Sequence, residues 1–323
     1  MKLTELFEQN PNIIINTDID GFLSGMILQT YLGCKIVGFS NSKKEVWVEP
    51  TIMDIYQPIY IDLFVSRPDV YCVEQHIIAI DDTHRKNILA MGTKINPNLE
   101  RDKRNFLDDY YHKYPFATVH YLIARLCKEG INVVMPDLDT VTFTANREYQ
   151  MELGHIILRA DDAMFSSLSK YKDNADDWWQ WLYETSDNAL CIQSFMQFIA
   201  RQSREKAKEQ KQNIGLFFTK GLQCDGEDGA FTYITDEEGN LQPRILAYAK
   251  FLKQSFGWEC DLPKSYIVHK GEFLKRFTNP KTINEVRQMI ENSSMYSYAF
   301  IYGPHSEWKN FSYTINMDTT NIE

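Results

Sequence analysis

The sequence predicts an α/β protein in which a mostly parallel sheet carries helices on both faces, with a second, smaller α/β domain after it. Short apolar, β-branched runs at residues 12–15, 35–39, 59–63 and 76–80 read as buried strands. Helical or irregular links separate these runs, and strands alternating with crossovers imply a parallel sheet covered on both faces. The chain has 323 residues, of which 44% are hydrophobic and 13% aromatic, enough for two cores.

Residues 3–8 read as a short helix stopped by Asn10-Pro11, and the first strand follows. Leu23, Met26, Ile27 and Tyr31 recur at helical spacing after Gly21, giving strand, acidic turn, helix. Residues 106–130 read as helical, with Ala117, His120, Tyr121 and Ala124 on one stripe and Lys128-Glu129-Gly130 as the stop. Further helices are expected over residues 147–159, 176–183 and 192–212. The last ends in a mixed-charge run, 201–211, that suits an exposed linker helix. A domain boundary is therefore set between 1–212 and 213–323. The second domain takes strands at 214–218, 231–234, 266–269, 298–302 and 312–316, and a helix over 243–256.

The formal net charge of −10 argues against a broad basic surface for duplex nucleic acid, so any nucleic-acid substrate would be gripped locally. Six cysteines are scattered singly, with no Cys-x-x-Cys pair, as expected of free thiols in a reducing compartment. The N-terminal segment Met-Lys-Leu-Thr-Glu-Leu-Phe-Glu lacks an apolar core, and no later run approaches membrane-spanning length. A cytoplasmic protein without a membrane partner is the expectation.

Four acidic stretches stand out: Asp18 and Asp20 in Asn-Thr-Asp-Ile-Asp-Gly, Asp62 after Pro-Ile-Tyr-Ile, Asp81-Asp82-Thr83-His84 after His-Ile-Ile-Ala-Ile, and Asp161-Asp162 after Ile-Leu-Arg-Ala. The first three follow strands, so their carboxylates would gather at the carboxyl edge of the sheet, where ligands of open α/β sheets bind. Crowded carboxylates repel unless something positive stands between them, and a hard divalent cation is the commonest answer. Two such cations about 3.5–4 Å apart would activate a water and offset charge on a phosphoryl group.

The set Asp-x-Asp-Gly after a first strand, a lone Asp after a later strand, and a strand followed by Asp-x-His resembles the DHH phosphoesterase superfamily over residues 10–165. Its members include RecJ-type single-strand exonucleases, oligoribonucleases, cyclic-dinucleotide phosphodiesterases and family II inorganic pyrophosphatases. The resemblance implies catalytic roles for Asp18, Asp20, Asp62, Asp82 and His84, and metal ligation by Asp18, Asp20, Asp62, Asp82, Asp161 and Asp162. It also implies one or two Mn²⁺ or Mg²⁺ ions and a nucleotide or single-stranded nucleic acid as substrate. Pyrophosphatase-like or cyclic-nucleotide activity, or a binding module without turnover, are the alternatives. The stretch 298–315 resembles the substrate-binding domain of that family, with His305, Lys309 and Ser312 as the matching residues.

The chain departs from the family in three places. Thr83 stands where the middle histidine of Asp-His-His would ligate metal, Asn16 stands where relatives carry His or Asp, and the terminal Gly-Gly-His stretch is absent. A shifted register, Asp81-Asp82-Thr83, would put Asp82 at the ligand position instead. Such changes imply single metal occupancy, altered metal preference or lost activity. Elsewhere the bland readings prevail: His76, His120 and His155 as packed histidines, Trp178, Trp179 and Trp181 as core, the 201–211 run as a solvated face. Asp137 and Asp139 compete for the fourth motif but read as a surface loop.

Overall fold

Along the chain of this computed structural model the elements run α1 (Leu3–Gln9), β1 (Asn12–Asn16), α2 (Ile19–Leu32), β2 (Lys35–Ser40), β3 (Glu45–Val48), β4 (Ile59–Ile61), β5 (Cys72–Val73), α3 (Asp82–Met91), β6 (Lys94–Ile95), α4 (Pro97–Glu100) and α5 (Thr118–Lys128). They continue with β7 (Val141–Thr144), β8 (Glu148–Met151), α6 (Leu153–Leu158), α7 (Lys172–Glu184), α8 (Leu190–Ala200), α9 (Arg204–Leu216) and α10 (Pro243–Phe256). Last come β9 (Ile267–Lys270), β10 (Glu272–Leu274), α11 (Ile283–Ile290), β11 (Met295–Phe300) and β12 (Phe311–Ile315). The structure describes residues 2–139, 141–144, 148–160, 168, 171–184, 190–226, 229–274, 282–300 and 311–317.

The α/β class holds. A seven-stranded sheet has the order β6-β5-β4-β1-β2-β3-β9, with the pairs β1/β4, β4/β5 and β5/β6 parallel and β2/β3 and β3/β9 antiparallel. A second sheet, β10-β12-β11, is antiparallel throughout. Ile13, Ile14, Ile15, Ile59 and Ile61 are wholly buried, as expected of continuous apolar strands in a parallel sheet. Gly38 in β2 is required by its neighbour: a Cβ there would press on the Trp47 carbonyl oxygen of β3, a backbone atom that cannot swing aside.

The chain divides into two units, each built from three segments. One holds Met1–Pro11, Thr17–Ile36 and Pro115–Ser265, the other Asn12–Asn16, Val37–Tyr114 and Tyr266–Glu323. The 212/213 position falls inside the first unit, within α9. The large sheet takes its edge strand β9 from beyond that position.

Several sequence expectations change in detail. Residues 76–80 are not a strand; the sheet position belongs to Cys72–Val73. Ile77 to Ile80 are buried all the same, in a core with Phe106, Tyr298, Phe300 and Phe311, where the Ala79 and Ile80 carbonyls accept from the Phe106 and Leu107 amides. An apolar run of that length satisfies either burial mode, and periodicity cannot separate them. Residues 106–117 are largely irregular, and helix begins only at Thr118. Residues 148–158 form β8 and α6 in place of one helix. The 192–212 helix is two helices, because Ser203 caps a new start by accepting from the Lys206 amide. Residues 214–218 continue helically, and 231–234 is not a strand.

Trp178 and Trp179 are buried, with the Trp179 ring 3.9 Å from that of Phe116, so these indoles serve packing. Among the described residues no helix is long and apolar enough to cross a membrane.

Candidate functional site

The site is assembled at the carboxyl ends of the parallel strands, in the second unit. The register pairs Ile15 with Ile61, Ile61 with Val73, and Val73 with Ile95. The next residue on each strand is polar: Asn16, Asp62, Glu74 and Asn96, all buried, form one line across four strands. Neighbours in the line are joined. Asn16 Nδ2 donates to Asp62 Oδ2 at 2.9 Å, and Asn96 Nδ2 donates to Glu74 Oε1. Burying four polar side chains in register is costly unless each finds partners, so such a line marks either a binding edge or a fold constraint.

Asp62 is one of five described non-glycine residues with a left-handed backbone. Its backbone lies in the left-handed region at φ 59°, which costs a non-glycine residue roughly 1–2 kcal/mol. Its carboxylate is nonetheless 3% exposed and held by Asn16. Ser42, in the turn between β2 and β3, is also left-handed at φ 56°, and its Oγ donates to Asn16 Oδ1 at 3.1 Å. Asn41 makes that turn: its Oδ1 accepts from the amides of Lys43, Lys44 and Glu45, and its Nδ2 donates to Glu45 Oε2. Lys43 and Lys44, both exposed, follow Ser42 directly. The end of β4 and the β2–β3 turn thus converge on the Asn16 amide.

The small sheet attaches to the same turn. Thr314 Oγ1 in β12 donates to the Lys43 carbonyl, and the Gly271 amide donates to that of Lys44 at 2.8 Å. Ser312, two residues before Thr314, lies on the same face of β12 and is buried. His305, Lys309, Asp161 and Asp162 lie outside the described residues.

The remaining expected carboxylates have other duties. Asp18 is the N-cap of α2 and accepts from the Gly21 amide at 2.9 Å. Asp20 is 2% exposed and caps another helix: its Oδ2 accepts from the Thr118 amide at 2.7 Å, its Oδ1 from the Val119 amide at 2.9 Å and from Ser24 Oγ at 3.2 Å. Ala117, the N-cap of α5, has no side-chain oxygen to offer, so the carboxylate of α2 meets those amides in its place. His120 completes the cap by accepting the Ala117 amide at Nδ1.

In the third motif Asp81 is the N-cap of α3, accepting from the His84 amide at 2.8 Å and pairing with Arg287. Burial pushes the Asp81 carboxyl up, but the His84 amide and the Arg287 guanidinium hold it below the usual carboxylate range. Asp82 lies in the first turn, with Lys86 at 2.7 Å and Arg85 at 2.8 Å, and their cations lower its pKa. His84 Nδ1 faces the Ile80 amide at 3.3 Å, and burial lowers the ring's pKa against the pull of Asp81. Neither register of the motif presents a carboxylate at a strand end, because 76–80 is not a strand.

Sequence reasoning missed Ser42, Glu74 and Asn96. Glu74 does carry a signal, a polar residue directly after the apolar pair Cys72–Val73, but a two-residue strand is too short to anchor it, and Asn96 follows Lys94–Ile95 with no such signal. His76, read as packed, has a side chain 47% exposed, with its backbone amide on Glu74 Oε2 at 2.6 Å. An open groove of about 600 Å³ lies in the first unit along α7 and α8, lined by Gln180, Tyr183, Gln193, Met196 and Gln197 among others, and brings no carboxylate cluster together. No protein-family model, curated protein or solved structure matches the chain.

These side chains do not fit a two-cation centre. Among the described residues no three His, Cys, Asp or Glu side chains stand as a metal-holding group. Asp20 is given to the amides of α5, and Asp82 to two cationic side chains. Asp62 and Asn16 are the residues that could offer oxygens to a cation. An Asn amide is readily turned over, and Ser42 Oγ can accept as well as donate, so reversing Asn16 would present Oδ1 beside the Asp62 carboxylate while Nδ2 donates to Ser42.

Proposed function

We propose that this chain is a metal-dependent phosphoesterase of reduced form, acting on phosphoester bonds of a nucleotide or single-stranded oligonucleotide with one divalent cation held at Asp62 and Asn16. The strained backbone of Asp62 carries the reading: a buried carboxylate forced into a left-handed conformation at the carboxyl edge of a parallel sheet is the kind of strain that concentrates at functional sites. The ordered motifs resembling DHH phosphoesterases supply the reaction class. A bound Mn²⁺ or Mg²⁺ would supply charge neutralisation and an activated water. Asp62 and Asn16 would orient oxygen ligands, Ser42 would fix the Asn16 amide, and Lys43 and Lys44 lie beside that site to meet phosphate charge.

A second reading has its own support. Each expected carboxylate described here already has a donor from the protein, as a module that binds phosphoesters without turnover would allow. The test is incubation of the purified chain with Mn²⁺ and labelled single-stranded DNA, short RNA, cyclic dinucleotide and pyrophosphate, beside Asp62→Asn. Cleavage of an oligonucleotide or cyclic dinucleotide that falls at least about 100-fold in the variant is expected. Binding of these ligands without cleavage favours the second reading. Cleavage of pyrophosphate alone removes the nuclease assignment.

A further inference from the structure

Two thiols in the first unit stand closer than any packing need explains. Cys127, in the last turn of α5, and Cys191, at the start of α8, have sulfurs 3.2 Å apart and are not bonded to each other. That is only about 1 Å beyond disulfide bond length. Their spacing is set by the packing of the two helices, which meet where the His120 ring of α5 lies edge-on to Phe195 of α8 at 5.0 Å. The two thiols differ in access: Cys191 is 4% exposed, whereas Cys127 is half-buried and faces the surface in part. Cys34, Cys72, Cys224 and Cys260 are buried free thiols.

We propose that Cys127 and Cys191 form a two-thiol redox centre, in which Cys127 is oxidised by a hydroperoxide and Cys191 resolves the product to a disulfide joining α5 to α8. In the first step the Cys127 thiolate sulfur attacks the terminal peroxide oxygen. An S–O bond forms, the O–O bond breaks, and the departing alkoxide takes up a proton to leave as alcohol, or as water when the oxidant is hydrogen peroxide. In the second, Cys191 gives up its proton and its sulfur attacks Cys127. The S–S bond forms, the S–O bond breaks, and water departs with that proton. Two thiols lose two electrons and one hydroperoxide gains them.

The electrostatics agree with this division of labour. Either sulfur of the pair can donate the shared hydrogen bond; with Cys191 as donor it holds Cys127 below the ordinary thiol pKa, against burial and with help from the Val133 backbone, and raises Cys191. Burial pushes Cys34, Cys224 and Cys260 up to about 12 and raises Cys72, so these four should be inert at neutral pH and serve as internal controls. The proposal stands apart from the phosphoesterase reading, since no residue of the sheet edge enters it.

The test uses the full chain. Native protein is treated with hydrogen peroxide, blocked with N-ethylmaleimide, digested and mapped by mass spectrometry. The expected result is a Cys127–Cys191 cross-linked peptide, reversed by dithiothreitol, with the other four cysteines still thiols. In untreated protein at neutral pH, Cys127 should alkylate at least about tenfold faster than those four. In Cys191→Ser, dimedone should trap a sulfenic acid on Cys127; in Cys127→Ser, Cys191 should stay unmodified. Failure of the cross-link to form in the wild-type chain, alkylation of Cys127 no faster than the controls, or modification of Cys191 in Cys127→Ser overturns the proposal.

Discussion

Asp62 and Asp20 are both buried acidic residues shortly after strands of the large sheet, yet the structure gives them opposite characters. Asp20 stabilises the fold: it meets two helix amides and a hydroxyl that would otherwise be buried without partners. Asp20→Ala is therefore expected to destabilise the chain by about 2–4 kcal/mol, read from urea denaturation, because unmet buried donors cost more than the hydrogen bonds they lose. Asp62 instead bears strain. Asp62→Asn keeps the shape and the left-handed backbone, so the urea midpoint should move by no more than about 1 kcal/mol while cation binding and cleavage are lost. Asp82→Ala removes a carboxylate paired with Arg85 and Lys86 in the first turn of α3 and leaves the buried Arg85 to Asp102 and the Leu99 carbonyl, so cation binding should not change and the midpoint should fall by no more than about 1 kcal/mol.

At the level of elements, what the sequence reveals depends on run length. β1, β2 and β4 are legible because apolar β-branched residues continue long enough to demand burial on both faces. β5 is not legible, since Cys72–Val73 is two residues long while the more apolar run after it packs into an aromatic core. Asp18 and Asp62 were found from their place after strands, and the structure keeps them there. The cap that Asp20 supplies was out of reach, because its partners Thr118 and Val119 are almost a hundred residues away and nothing local announces them. The same holds for Ser42, whose meeting with Asn16 depends on the turn that Asn41 builds. Gly38→Ala tests the sheet itself: the added methyl meets the Trp47 backbone, and a loss of roughly 2 kcal/mol or more is expected in thermal or urea unfolding.

For the whole molecule, pH acts on stability through a buried histidine. His120 is wholly buried among Phe116, Trp179 and Phe195, and burial lowers its pKa from 6.5 to about 3. The unfolded chain takes up this proton first as pH falls, so the stabilisation is complete above about 6.5 and declines between there and about 3. The folding equilibrium should lose up to about tenfold per pH unit across that window, and His120→Phe should flatten the slope.

The proposed site holds one cation at Asp62 and Asn16, while Asp20 and Asp82 are given to the protein's own donors. Mn²⁺ titration followed by electron paramagnetic resonance measures it most directly. One ion per chain is expected, lost in Asp62→Asn and retained in Asp82→Ala. Two ions per chain, with one lost in Asp82→Ala, or Mn²⁺ binding indifferent to Asp62, would contradict it.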